Sequence, residues 1–389
     1  MNRRRVVAAA AVLALGVAVA GCSSGTTTAE PSVAASADGA AFAQERQAAM
    51  QKVLDDARTK FDFPGAQAGV WTEDGTWIGV TGTSGRDTDR APQRDDHTRI
   101  GSITKTFTVA LVLQLADQGR VDLDDVIDTY VPGMPNGDSA TLRQLASMTS
   151  GIPPYSFDKK FLSIYFADPY TVFSPQELVD FVKDDKPSFP AGTAVEYSNT
   201  NTVLLGMVIE KVTGEPFAET LRAGLLEPLG LTQTSFPFQS AELPQPHLDG
   251  ITTQTDPEGT IKDATDFNPS WGFTAGAMIS TLDDLHRWSV ALGTGEGWIS
   301  PELQGQRTAS MTSDLPENTK ERAYALGFGV ENGWIGHTGE LPGYNSSIQF
   351  DPQTRTSVVV MVNSDIPAGK DNPAPYITAG LKEVLASTP

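Results

Sequence analysis

The chain has 389 residues, 39% hydrophobic and 20% charged, with 36 Gly and 26 Pro. That is enough sequence for one large domain or two lobes around a substantial core. A formal net charge of −20, with no basic stripe in the body of the chain, excludes the clustered Lys/Arg footprint of a nucleic-acid binder. Cys22 is the only cysteine, which rules out an internal disulfide and any metal site built on several thiolates.

In chain order, Arg3, Arg4 and Arg5 precede an apolar run from Val6 to Ala20. That run is short of the roughly 20 residues a spanning helix needs, and its flanks are those of an export signal. Val19-Ala20-Gly21-Cys22 resembles a bacterial lipobox. The resemblance implies a lipoprotein signal peptide over residues 1–21 and lipid on the Cys22 sulfur, anchoring the chain to the outer face of the cell membrane. Losing the three Arg would take the charge to −20 − 3 = −23. Residues 22–40, rich in Ser, Thr and Ala, read as a flexible tether.

Ala41 to Lys60 carries apolar residues at helical spacing. Ala66–Val70 and Trp77–Val80 flank Glu73-Asp74-Gly75 and read as a hairpin. Ile103 to Leu115 is apolar nearly all round, which places that helix inside the protein, with Gly119 as its stop. Ser174-Pro175-Gln176-Glu177 is a capping box, and Thr202 to Val212 is an apolar helix closed by Gly214. Asn345–Phe350 and Ser357–Val362 read as strands, the latter buried, and Tyr376 to Ala386 as a helix. Strands at both ends with helices between predict an α+β fold. Its sheet lobe covers about 41–100 and 275–389, and an inserted all-helical lobe covers about 101–274.

The chemistry centres on Gly101-Ser102-Ile103-Thr104-Lys105. Ser102 and Lys105 fall one helical turn apart on one face, and the helix N-terminus favours negative charge developing near Ser102. A Lys turned into an apolar interior loses part of its hold on its proton and can accept that of Ser102. The pattern alone is weak: Ser156-Phe157-Asp158-Lys159 matches it too, without a buried helix behind it. An N-cap serine and a snorkelling lysine are the plain alternatives.

Two further triplets follow, Tyr197-Ser198-Asn199 and His337-Thr338-Gly339. With Thr149-Ser150-Gly151, Ala275 to Ser280 and Pro342-Gly343-Tyr344, the chain from about 45 to 385 resembles the serine β-lactamase and DD-peptidase superfamily. The class C-like enzymes and D-alanyl-D-alanine carboxypeptidases are the nearest branch. The resemblance implies an antiparallel sheet flanked by helices. It also implies a Ser102 acyl-enzyme, with Lys105 and Tyr197 sharing the proton work and His337 where β-lactamases carry Lys. Asn199 would bind the substrate amide and orient Lys105. The oxyanion hole would be the backbone N–H groups of Ser102 and Glu340, beside Thr338 and Gly339. Trp271 would line the pocket or belong to the core.

No cofactor or metal is implied; His97, His247, His286 and His337 are the only histidines, and none lies in H-E-x-x-H. Gly21 to Gly25 fits Gly-x-Ser-x-Gly but lacks the strand–turn–helix setting of a nucleophile elbow. Met148 stands where relatives often have His. Glu340 and Glu331 put acids near the oxyanion strand, and no Arg is evident there. That composition disfavours a substrate ending in a carboxylate. The expected partner is therefore a small peptide, amide, ester or β-lactam. Carboxypeptidase action on cell-wall peptides comes first, with a β-lactamase, esterase or D-amino-acid amidase as alternatives. A non-catalytic muropeptide- or β-lactam-binding protein is the reading from another class. Oligomeric state is open, with a monomer favoured.

Overall fold

The computed structural model describes residues 41–310, 315, 317–319 and 321–387. The leader over 1–21, Cys22 and the tether over 22–40 lie outside the described residues.

The hairpin forms as the turn signal predicts: β1 (Gly65–Trp71) pairs with β2 (Thr76–Gly82). Five more strands come from the far end of the chain. They are β7 (Arg322–Tyr324), β8 (Gly329–Glu331), β9 (Trp334–Leu341), β10 (Tyr344–Asp351) and β11 (Thr356–Val362). Together they make one antiparallel sheet in the order β2-β1-β11-β10-β9-β8-β7. The short strands β3 (Thr98–Arg99) and β6 (Ile279–Ser280) pair separately, as do β4 (Ile251–Thr252) and β5 (Lys262–Asp263).

The run Ser-Val-Val-Val-Met-Val has no polar face because its strand is covered on both sides. Val358, Val360 and Val362 face a core shared with α1 (Gln44–Phe61) and α11 (Pro373–Ser387). Val359 and Met361, one residue out of phase, face a second core with α2 (Thr104–Asp117). Strand periodicity of two divides one apolar run between two cores.

The middle of the chain supplies α3 (Leu142–Ala146), α4 (Lys159–Ala167), α5 (Pro175–Asp180), α6 (Asn199–Thr213) and α7 (Phe217–Leu221). After these come α8 (Phe273–Gly276), α9 (Leu282–Thr294) and α10 (Pro301–Ala309). The capping box at Ser174 forms, with Ser174 and Glu177 bonding reciprocally. Gly214 ends α6 at φ 76°, the left-handed conformation that suits glycine. Helix α2 lies at the centre: Thr104 to Leu113 are all buried. The competing Ser156-x-x-Lys159 pattern falls on a surface turn, with Phe157 75% exposed and Asp158 capping α4.

Candidate active site

Ser102 sits on one 3₁₀ turn, Gly101–Ile103, that leads into α2. The approach to it is fixed on both sides. Arg99 pairs with Ile279 across β3 and β6, and the Ile100 N–H donates to Met278 O at 3.0 Å. The Thr104 hydroxyl accepts from Met278 N–H. Gly101 has φ +50°, and a Cβ on it would lie 2.4 Å from Glu340 N. A Cβ on Gly339 would lie 1.9 Å from Ile100 O. Two glycines on facing segments therefore let the Ser102 turn lie directly against β9.

Lys105 is fully buried with no carboxylate partner among the described residues. Its Nζ donates to Ser102 Oγ at 2.9 Å and to Ala275 O at 2.8 Å. Burial holds its pKa well below the ordinary lysine value. An ammonium there has lost its water and gained only a hydroxyl and a carbonyl, so the neutral amine is favoured. The expectation that Asn199 orients Lys105 is not met: Ala275 O does this, and Asn199 makes no side-chain bond to Lys105 among the described residues. The 273–276 turn is bonded along α2, with the Thr108 hydroxyl donating to Thr274 O at 2.7 Å, and this brings Ala275 O to Lys105.

Tyr197 completes this side. Its ring centroid is 4.8 Å from Lys105 Nζ. The residue is 41% exposed to the cleft, yet its hydroxyl end is desolvated, which raises its pKa; the Ser102 side chain pulls it partly back. A phenol so placed stays protonated and is a proton donor. Met148 braces it from both sides, with Met148 O accepting from Glu196 N–H at 2.9 Å and Met148 Sδ from Ser198 N–H at 3.5 Å. It does so at φ +61°, a strained value for a non-glycine residue.

The other wall is β9. Thr338 and Glu340 share its exposed face; His337 and Gly339 share its buried face. His337 Nδ1 lies 2.5 Å from Thr338 O and Nε2 lies 3.1 Å from the Tyr324 hydroxyl. Burial lowers its pKa to about 4, and a proton on Lys105 would push in the same direction, so it is uncharged at neutral pH. Glu340 keeps contact with solvent, but the protein around its carboxylate desolvates it enough to raise its pKa, with Gln254 pulling it back. Gln254 Nε2 donates to its Oε1 at 2.9 Å and Asn372 Nδ2 to its Oε2 at 3.2 Å.

Trp271 belongs to a supporting wall. Its ring packs 5.4 Å from Tyr165 and 6.1 Å from Phe161, and its carbonyl accepts from the Tyr155 hydroxyl. Tyr324, Gln254 and Asn372 carry no local sequence signal and are additions from the structure. So is Arg322, which corrects the reading that no Arg is near: β7 places it in a cavity of about 560 Å³ lined also by Tyr197, Glu331, His337 and Thr338. No cluster of metal-ligating side chains occurs among the described residues.

A serine bonded to a desolvated lysine one turn away, beside a protonated phenol, on this sheet-and-helix frame defines the class: a serine hydrolase. Residues 49–381 match the Beta-lactamase family model, and the chain belongs to that family. A D-stereospecific amidohydrolase from Streptomyces sp. is 30% identical in sequence, with a TM-score of 0.75 over 87% of this chain and 97% of that one. The D-amino acid amidase of Ochrobactrum anthropi shares the fold at TM-score 0.76 and 24% identity, covering 88% and 98%. Protein flp of Staphylococcus aureus is 28% identical over 68% of this chain, which spans 52% of that protein's length.

Proposed function

We propose that this enzyme hydrolyses amides or short peptides of D-amino acids bearing a free α-amine, through an acyl ester on Ser102. The observation that carries the proposal is Glu340. This carboxylate directly follows the Gly339 that packs on the Ser102 approach, is held by two neutral amides, and has no cationic partner among the described residues. A substrate ammonium would supply the missing charge, and a substrate carboxylate would be repelled. Uncharged His337 acts in the same sense, since it offers no cation to an anionic substrate.

On this reading each group has a role in acyl transfer. Neutral Lys105 takes the Ser102 proton as Oγ attacks the carbonyl carbon. The backbone N–H groups of Ser102 and Glu340 stabilise the oxyanion. As the C–N bond breaks, Tyr197 gives its proton to the leaving nitrogen and is reprotonated from Lys105. Water then cleaves the ester by the reverse path, with Asn199 and Thr338 holding the substrate amide.

Arg322 favours a second reading, carboxypeptidase action on peptides ending in D-Ala, because a guanidinium in the cavity beyond His337 suits a leaving group with a carboxylate. Steady-state kinetics decide between the two. On the first reading, a free-amine D-amino-acid amide outperforms its N-acetyl derivative and an N-acyl-D-Ala-D-Ala peptide, and Glu340→Gln raises KM for the free amine about tenfold. Preference for the N-acyl dipeptide, with no effect of Glu340→Gln, would transfer the assignment to the second reading.

A further inference from the structure

His337 can be read atom by atom. Thr338 O has no proton to give, so the contact to it requires a proton on Nδ1. A neutral ring carries only one N–H, so Nε2 presents a lone pair, and the Tyr324 O–H donates to it. The ring is boxed in: Tyr324 stands edge-on at 5.7 Å and Tyr197 is tilted at 6.0 Å. Tyr324 in turn stands edge-on to Tyr197 at 6.0 Å.

We infer that Tyr324 is a positioning and specificity-determining residue: its hydroxyl fixes His337 as the uncharged Nδ1–H tautomer and so keeps positive charge off the β9 wall. If His337 took a second proton, at Nε2, the Tyr324 hydroxyl would have to turn and accept. It would give up the bond it donates here and turn its own hydrogen toward the cavity it lines, a rearrangement that the charged state alone requires. The other ionisable groups that face the ring do not supply a counter-charge. Lys105 comes from α2 and Tyr197 from the segment before α6. Arg322, Glu331 and Glu317 line the same cavity as the ring, and neither carboxylate forms an ion pair with it among the described residues. Arg307, fully buried, bonds Leu326 O at 2.9 Å, so the residues following Tyr324 are tied to α10 and the hydroxyl is held in place.

The consequence for substrate choice rests on the proposed reading; the tautomer does not. With His337 uncharged, Glu340 is the one charged side chain of β9, which on that reading selects amines and rejects carboxylates. Here Tyr324 holds the wall neutral through a histidine.

The test uses the intact protein and Tyr324→Phe. With only four histidines, the His337 ring proton resonance is assignable by comparison with His337→Gln. In the wild type it stays in the neutral form down to about pH 5; in Tyr324→Phe, where burial still acts on the ring, its midpoint rises above that of the wild type but stays below the ordinary value of roughly 6.5. KM for a free-amine D-amino-acid amide then rises several-fold more between about pH 7 and pH 5.5 in Tyr324→Phe than in wild type, with the smaller part of the change in kcat. Adding His337→Gln to Tyr324→Phe removes that extra dependence, because glutamine does not ionise. An unmoved His337 midpoint in Tyr324→Phe overturns the inference, as does an extra pH dependence that survives in the double variant. A moved midpoint in an enzyme that ignores free-amine amides would uphold the tautomer lock and sink the substrate reading instead.

Discussion

The two walls of the cleft are built on opposite principles. On the α2 side the groups are dry and close: Lys105 is fully buried, reaches Ser102 at 2.9 Å, and its pKa is lowered by burial alone. On the β9 side the polar groups are held by other side chains. Glu340 takes its hydrogen bonds from Gln254 and Asn372, and His337 takes one of its two from Tyr324. The first arrangement makes a base; on the proposed reading the second chooses what the base acts on. A reaction centre that depends on one desolvated lysine needs a buried helix and one carbonyl to hold the amine, here Ala275 O. Selectivity needs charges set in particular places, and several loops must cooperate to set them.

The largest expected effect lies on the α2 wall. Lys105→Met keeps the volume and apolar fit and removes the base, so acylation should fall by about 10²–10⁴-fold with little loss of thermal stability. A loss under tenfold in single-turnover kinetics would mean that the proton leaves Ser102 by another route. Next comes the seam between the walls. Gly101→Ala puts a methyl group 2.4 Å from Glu340 N and so pushes the Ser102 turn off β9. A drop in kcat of about 10²-fold is expected, the scale of losing one oxyanion donor. Unchanged kcat would show that the two segments need not touch.

How much of this was legible in the sequence follows the same division. The all-apolar helix carrying Lys105, with Ser102 on the turn before it, the Ser174 cap and the β11 run each write their environment locally, and all three appear as read. The bond from Lys105 to Ala275 O could not be read, because it depends on where the short turn at 273–276 crosses α2 in space. Glu340 was legible as an acid beside the oxyanion strand, but its two amide partners lie on separate loops. Arg322 and Tyr324 belong to a three-residue strand with no pattern long enough to register. Met148 was visible only as an oddity; its bracing of Tyr197 requires a positive φ that no local rule demands of methionine.

The smallest effect tests the surroundings of the β9 wall. Asp365 is 2% exposed and accepts from Gly343 N–H at 3.1 Å and the Thr252 hydroxyl at 2.9 Å. Burial, with Glu340 adding repulsion, raises its pKa from 3.8 to about 7. A folded-state pKa above the unfolded one means that the folded state binds the proton more tightly. Its contribution to stability is complete below about 3.8 and is lost as pH rises through about 7. Asp365→Asn should therefore flatten the pH dependence of stability in that window relative to wild type. Denaturant melts of both proteins across it would show parallel curves if the carboxyl is not desolvated as described.

The account stands or falls on Ser102 as the acylated group. The direct measurement is the intact mass of the chain milliseconds to seconds after mixing with an aryl ester of a D-amino acid, quenched in acid and followed by peptide mapping. The expected result is one added acyl group on the peptide carrying Ser102 in the wild type and none in Ser102→Ala. An adduct mapped to another residue, or substrate consumed at the wild-type rate by Ser102→Ala, would contradict it.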